Sequence, residues 1–561
     1  MLSSGRDVSL ETQKLPQADE IGAIHAPPVA NSEPAAPSVG RRIALNTAIV
    51  GGAFVLSRVL GLLREAVIAG QFGTSGQYDA YIAAFRVPDT LFLLIIGGAV
   101  GSAFIPIFTD LMRKGGQSQA WNLASTLINA SIVLLSLGGI VMALIAPTLV
   151  GTIIAPAMPP ERQELVVHLT RILLLSPLFL GLGGWAMGIL NARQNFALPA
   201  LAPVAYNLSI IGGALFLAPS MGIYGLAWGV VLGALLHFGL QVPGLRQAGM
   251  RYALRLRLGD VGVSQVGKLI LPRIVGQAAF QVNIIAMNTI GSFLPEGRIS
   301  ALNYAYLLMM LPHGVFAMSL ATVTFPTMAS QYADGNMEGV RHTLARATRV
   351  LLFLTIPAAV GLFVLRSEIV ATLFQLGAFT PESTQLVASA LGYFALGLVA
   401  YAVVEVLTRG FYALHDTATP VTISVATVLL NLGISLALVF GLGWGHEGLA
   451  LSLAATTTVE MVLMWVLLGR RLPGWGLRSE GLLPSITKSG LAAIVMGVVI
   501  ALMLWGLYAL LPDIEGEKLG AALLLVLGVA VGAAVYLGVA MLLRSEETSE
   551  AVGLVRRRIG R

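Results

Sequence analysis

Residues 54–106 read FVLSRVLGLLREAVIAGQFGTSGQYDAYIAAFRVPDTLFLLIIGGAVGSAFIP. Two long apolar runs flank a short polar connection. Arg58, Arg64 and Glu65 sit inside the first run; Asp79 and Arg86 sit at the start of the second. A charge in hydrocarbon costs on the order of 2.5–3.5 kcal/mol even on lenient insertion scales, so such residues usually face a bundle interior or a wet cavity. Arg58 and Glu65 are seven apart and share one helix face. Guanidinium groups stay charged and bind phosphate or carboxylate oxygens bidentately, which suits them to an anion-binding cluster. The plainer alternatives are that Arg64 snorkels to a surface, that Arg and Glu neutralise each other, and that Asp79 caps its own helix. Arg86 precedes Val87-Pro88-Asp89 and is either a cavity residue or a local partner of Asp89.

The rest of the chain places that stretch in a membrane. Of 561 residues, 56% are hydrophobic and 11% charged, against roughly 25% charged in a soluble domain. The expected class is an all-α polytopic membrane protein. Fourteen stretches reach the ~20 mostly apolar residues of a span: roughly 43–70, 79–108, 121–150, 164–190, 198–217, 220–243, 264–292, 300–330, 344–365, 385–411, 418–441, 447–469, 484–511 and 519–543. Residues 1–41 hold five prolines and no apolar period, and read as a disordered cytoplasmic tail without the features of a secretory signal. With that tail inside, inner loops and span ends hold 23 Lys and Arg against 4 outside. The bias predicts both termini in the cytoplasm and accounts for the net charge of +6 without nucleic acid. There are no cysteines.

The two halves of the chain resemble each other at an offset near 220 residues. Ala103–Pro106 answers to Val323–Pro326, ARQNFALP (192–199) to ALHDTATP (413–420), Asn207-Leu208 to Asn431-Leu432, and Gly225-Leu226-Ala227 to Gly448-Leu449-Ala450. Six spans fill each copy. An even number gives both copies the same membrane orientation, related by an axis along the membrane normal, with a site between them. The expected layout is residues 42–245 as a first lobe, 246–263 as a basic linker, 264–472 as a second lobe, 473–543 as two further spans and 544–561 as a basic tail.

Further polar groups fall within spans. Arg273, with Gln277, Gln281, Asn283 and Asn288, makes the seventh span unusually polar. Arg273 is expected in the cavity, and the amides in hydrogen bonds between helices. Glu460, deep in the twelfth span, is a candidate proton or sodium site, with Glu65 a second coupling candidate. His237 occupies the repeat position of Glu460, and Glu405 with Arg409 reads as an ion pair. No phosphate-binding loop, metal-ligand spacing or catalytic constellation stands out, so the chain is not expected to be an enzyme or to hold a metal or cofactor.

The segments SRVLGLLREAVIAGQFG (57–73), YDAYIAAFRVPD (78–89), GGAVGSAFIPIF (97–108), NARQNFALPALAPVAYN (191–207) and GFYALHDTATPV (410–421) resemble the MurJ/MviN family over about residues 42–472. The resemblance implies a flippase of the bacterial cytoplasmic membrane. Its substrate would be lipid II, an undecaprenyl-pyrophosphate-linked peptidoglycan precursor, and its partners membrane lipids and cell-wall synthesis proteins. It also implies membership of the multidrug/oligosaccharidyl-lipid/polysaccharide exporter superfamily, with Arg58, Arg64 and Asp79 at functional positions and a lipid-tail groove on spans 13 and 14. The chain departs from the family pattern at Phe92, Leu93 and Gly97, where an Arg pair and an acidic residue are usual, and at Leu307, where an Arg is usual. Alternating access driven by membrane potential or a sodium or proton gradient follows as the expected mechanism, with excess positive charge in the cavity. The rival readings are an exporter of another polyprenyl-linked glycan or a small molecule, and a non-transporting scaffold.

Overall fold

The computed structural model describes residues 37–97, 103–114, 116–257, 259–511 and 517–549. Most of the predicted N-terminal tail and the end of the C-terminal tail lie outside these. So do the side chains of residues 37–49 and several on the seventh span, Arg273 among them. From Val50 onward the chain is one unit.

The first half holds α1 (Pro37–Phe72), α2 (Gly76–Ile95), α3 (Ile105–Arg113), α4 (Gln117–Leu149), α5 (Pro160–Leu173), α6 (Ser176–Ala192), α7 (Ala197–Gly212), α8 (Ala218–Met221), α9 (Ile223–Gly239) and α10 (Val242–Gln247). The second half holds α11 (Val261–Gly291), α12 (Arg298–Pro312), α13 (Met318–Ala333), α14 (Met337–Val364), α15 (Arg366–Phe374), α16 (Pro381–Ala413), α17 (Ala418–Leu436) and α18 (His446–Arg471). Then come α19 (Leu482–Leu510) and α20 (Lys518–Leu542). Among the described residues, eleven helical segments are long and apolar enough to cross a membrane. The other three predicted spans, 43–70, 79–108 and 264–292, fall on α1, on α2 with α3, and on α11. α2 alone carries Asp79, Arg86 and Asp89 within 20 residues.

Local chemistry explains the boundaries. Ser75 caps α2 by accepting from the Tyr78 amide at 3.3 Å. Thr380 caps α16 ahead of Pro381, whose missing N–H costs nothing at a first helical position. Several predicted spans are interrupted. The α2 and α5 stretches each break into two helices, because Pro106 and Pro177 start α3 and α6 and cannot donate into a preceding turn. The π-helical turns at Gly213–Leu217 after α7 and Ala437–Gly441 after α17 lie 224 residues apart, so the repeat extends to helix irregularities.

Each lobe has its own core. Trp121, Trp185, Phe104 and Phe108 interlock in the first, and Phe411, Met464, Leu407 and Trp475 belong to the second. Phe92 packs against the first-lobe core, and Leu307 against a further core built from residues of both lobes, each as an apolar side chain. The outward faces of α4, α19 and α20 are lined with exposed Leu137, Ile140, Leu144, Leu502, Trp505 and Val526. Such a continuous apolar surface fits hydrocarbon and would aggregate in water. This is a multi-pass membrane protein. The linker between lobes runs extended along α4, where Asn129 donates to the carbonyls of Ala253 and Arg255 at 2.9 Å.

Candidate functional site

Two cavities meet between the lobes. The first, about 220 Å³, is lined by Arg64, Glu65, Tyr78, Tyr81, Arg86, Asp89 and Tyr206 of the first lobe and by Asn303 of α12. The second, about 200 Å³, is lined by Asn283, Asn288, Asn303, Tyr306 and Tyr401 of the second lobe and by Arg86. Arg86 and Asn303 belong to both, so one residue from each lobe joins the two chambers.

The arginines differ in how they are held. Arg64 donates from Nε to Glu65 at 3.1 Å and from Nη1 to Asn207 Oδ1 at 3.1 Å. Asn207 in turn donates to the Ser57 carbonyl at 3.3 Å, tying α7 to α1. Tyr78 donates to the other Glu65 oxygen at 3.4 Å. Arg64 is therefore fixed and already paired. Arg86 is held less completely: its buried Nε has no hydrogen-bond partner and it makes no close ion pair among the described residues, although the Asp89 carboxylate, three residues on, acts on it from the same chamber. A buried guanidinium with an unmet donor is costly unless something fills the cavity in front of it. Two arginines face two carboxyl groups in this chamber, so its described charges cancel rather than giving the positive excess expected from the sequence.

The lobes are sealed at one end, where α1 finishes. Asp79 accepts from the Gly297 amide at 2.6 Å and the Ser300 amide at 2.7 Å. It caps α12 of the opposite lobe, not its own helix, meeting the orphan N–H groups and positive end of that helix. Arg162 pairs with Glu296, Thr74 and Ser383 share a hydroxyl bond at 2.7 Å, and the Ala378 amide donates to the Gly70 carbonyl at 2.8 Å. Asn288 donates to the Ile154 carbonyl at 2.9 Å. Gly297 has φ +81°, and a β-carbon there would run into the Thr74 carbonyl. The seal thus needs glycine for both dihedral and space. Beneath it Tyr78 stacks on Tyr304 across the lobes with ring centroids 5.2 Å apart, and Tyr304 packs on Phe374 and Phe379.

Of the residues singled out from sequence, Arg64, Glu65 and Arg86 come together in the first chamber. Arg58 stays outside both chambers, exposed, with its guanidinium 5.4 Å from the Phe54 ring and beside Gly314 of the second lobe. Asp79 is buried in the seal with both oxygens occupied, outside both chamber linings. Arg273 lies on α11, its side chain outside the described residues. Glu460 stands apart on α18, accepting from Ser424 of α17 at 2.6 Å. The amides of α11 divide. Gln281 and Asn288 bridge to the first lobe through Thr90 and Ile154, as expected of helix-joining amides, while Asn283 and Asn288 line the second chamber. Sequence reasoning missed Asn303, Tyr81, Tyr206, Tyr306 and Tyr401. The only available signal was hydroxyls and an amide recurring within apolar spans.

The sequence profile described as lipid II flippase MurJ matches residues 68–510. The lipid II flippase MurJ of Burkholderia cenocepacia is 33% identical over 442 residues, covering 76% of this chain and 84% of that protein. The chain belongs to the MurJ family. A solved structure titled lipid II flippase MurJ, inward closed conformation, shares 25% identity at a TM-score of 0.73, covering 91% of this chain and 99% of the other. An inward-facing multidrug resistance MATE family transporter of the MOP superfamily matches at TM-score 0.65 and 15% identity, covering 75% of this chain and 96% of the other, a likeness of fold. In this member of the family, Arg86 and Asn303 are the residues shared by the two chambers.

Proposed function

We propose that this chain is a lipid II flippase of the bacterial cytoplasmic membrane, with both termini in the cytoplasm. It takes the lipid-linked precursor from the inner leaflet, holds the headgroup between the lobes, and releases it outside when the lobes rock. The lipid tail stays in the bilayer, and no bond is made or broken. The observation that carries this reading is the Arg86 guanidinium, with an unmet buried Nε donor, at the junction of two inter-lobe chambers beneath a seal that closes one end. A pyrophosphate is the anion that a planar, permanently charged donor set grips best. Arg64, held rigid by Glu65 and Asn207, offers a second cation that the substrate can share without its reorganising. Arg58, at the seam beside Gly314, is placed to meet the headgroup on entry. From its place on α11 in the second lobe, Arg273 is proposed as a further cation for the cavity.

A neutral described chamber removes one argument against export of other molecules. The family match over most of the chain favours lipid II over another polyprenyl-linked glycan. The test is complementation of a lipid II flippase depletion in bacteria. Wild type is expected to restore growth, and Arg86→Ala and Arg64→Ala to fail at equal membrane levels. A well-expressed wild type that does not rescue would overturn the substrate. Rescue by both variants would overturn the arginine mechanism and favour a scaffold.

A further inference from the structure

Glu460 has no part in the chambers, yet it is a carboxylate set between two membrane helices. Its Oε1 accepts from Ser424 Oγ at 2.6 Å, a length typical of a hydroxyl on an ionised carboxylate or of a shared proton. No cation pairs with it among the described residues. Among the described titratable groups on the helices packed against α18, Tyr401 is the one that acts on Glu460. α17 has none. On α16, Tyr401 faces it, while Glu405 and Arg409 pair with each other at 2.8 Å. On α12 the titratable groups near mid-span are Tyr304 and Tyr306. On α11, Lys268 is exposed and Arg273 has its side chain outside the described residues. Tyr401 itself lines the second chamber with Arg86. The repeat adds a second observation. The matching position of the first lobe is His237, buried, with Nδ1 lacking any hydrogen-bond partner. Each lobe therefore carries one titratable group at the same place, outside the arginine site.

We propose that Glu460 is a proton-binding site that couples transport to a proton gradient. Its carboxylate takes one proton and becomes a neutral acid, with Ser424 turning from donor to acceptor. Tyr401 is the group through which that change reaches the second chamber. A sodium ion would need several oxygen ligands converging on it, whereas the Ser435 hydroxyl donates to Ser452, the Ser452 and Thr456 hydroxyls donate to backbone carbonyls, and both of these also accept from the Asn431 amide. The coupling role rests on the proposed flippase activity; the proton site does not.

The experiment reconstitutes the full chain in liposomes and reads modification of Glu460 by dicyclohexylcarbodiimide, which reacts with protonated carboxyls in apolar surroundings, by mass spectrometry across pH. Labelling is expected to fall about tenfold for each pH unit above its midpoint, and to be the same in sodium and choline chloride. Ser424→Ala, which removes a donor to the charged form, is expected to extend labelling to higher pH. Labelling that ignores pH, or that sodium suppresses, would overturn the proton site. In the same liposomes an imposed pH gradient is expected to raise the lipid II translocation rate at least threefold in wild type and not in Glu460→Gln. A gradient response that survives in Glu460→Gln would overturn the coupling. Wild type that moves no lipid II would count against the function, with the labelling curve still deciding the proton site.

Discussion

At the residue scale, Arg64 and Arg86 differ in how fully their guanidinium groups are hydrogen-bonded. Arg64 has its partners without substrate. Arg86 has an unmet donor at the chamber junction. A hydrogen bond to a charged group contributes ~1.5–3 kcal/mol, so Arg86→Ala is expected to cut translocation of lipid II in liposomes by about tenfold or more, with Arg86→Lys keeping part of the rate because it keeps charge but not the planar fork. Equal rates in all three would place Arg86 outside the headgroup site. Charge cost in hydrocarbon made Arg64, Glu65 and Arg86 legible as candidates. It could not rank them, because ranking needs the partners, and Asn207 lies 143 residues from Arg64.

At the scale of elements, the decisive contact is one helix capping another across the lobes. A sequence shows that Asp79 opens α2, where an aspartate commonly caps; it does not show that Ser75 already does that work and that the Asp79 carboxylate reaches α12. Replacing a capping Asp typically costs ~1 kcal/mol. Asp79→Ala is therefore expected to shift the lobes away from the sealed state about fivefold. The check uses the absence of native cysteines. With Thr74→Cys and Ser383→Cys placed across the seal, disulfide formation should slow in the Asp79→Ala background and be unchanged by Arg58→Ala. The segment after α20 offers a second element-level test outside the spans. Glu547 accepts from Arg349 Nε at 2.8 Å, Ser485 at 2.9 Å and Ser545 at 2.6 Å, joining that segment to α14 and α19. Burial pushes its carboxyl up, but these hydrogen bonds outweigh burial and hold it below the ordinary glutamate value. A lowered folded-state value means its contribution is present above the unfolded value of about 4.3 and is lost as pH falls through the folded one. Thermal unfolding in detergent should show wild type losing its advantage over Glu547→Gln, ~1–3 kcal/mol near neutral pH, as pH drops below about 4. An advantage that persists there would contradict the assignment.

At the scale of the molecule, the two lobes and their common orientation were readable because hydropathy counts spans and a repeat keeps its offset. The π-helical turns at 213–217 and 437–441 extend that repeat into backbone geometry that no residue pattern announces. The seal and the chambers were not readable, since the seal alone joins residues 134 to 309 positions apart, on helices whose rotation hydropathy leaves free. Alternating access requires that the seal open. Joining Thr74→Cys to Ser383→Cys by oxidation is therefore expected to abolish translocation, and reduction to restore it. Transport by the oxidised form would mean that the lipid leaves by another route.

The measurement that bears most directly on the whole account is lipid II translocation by the purified chain in liposomes, comparing wild type with Arg86→Ala and Arg58→Ala at matched incorporation. The account predicts that wild type translocates lipid II, that Arg86→Ala loses about tenfold or more, and that Arg58→Ala loses less. Wild type without translocation, or an Arg86→Ala variant as fast as wild type, would contradict it.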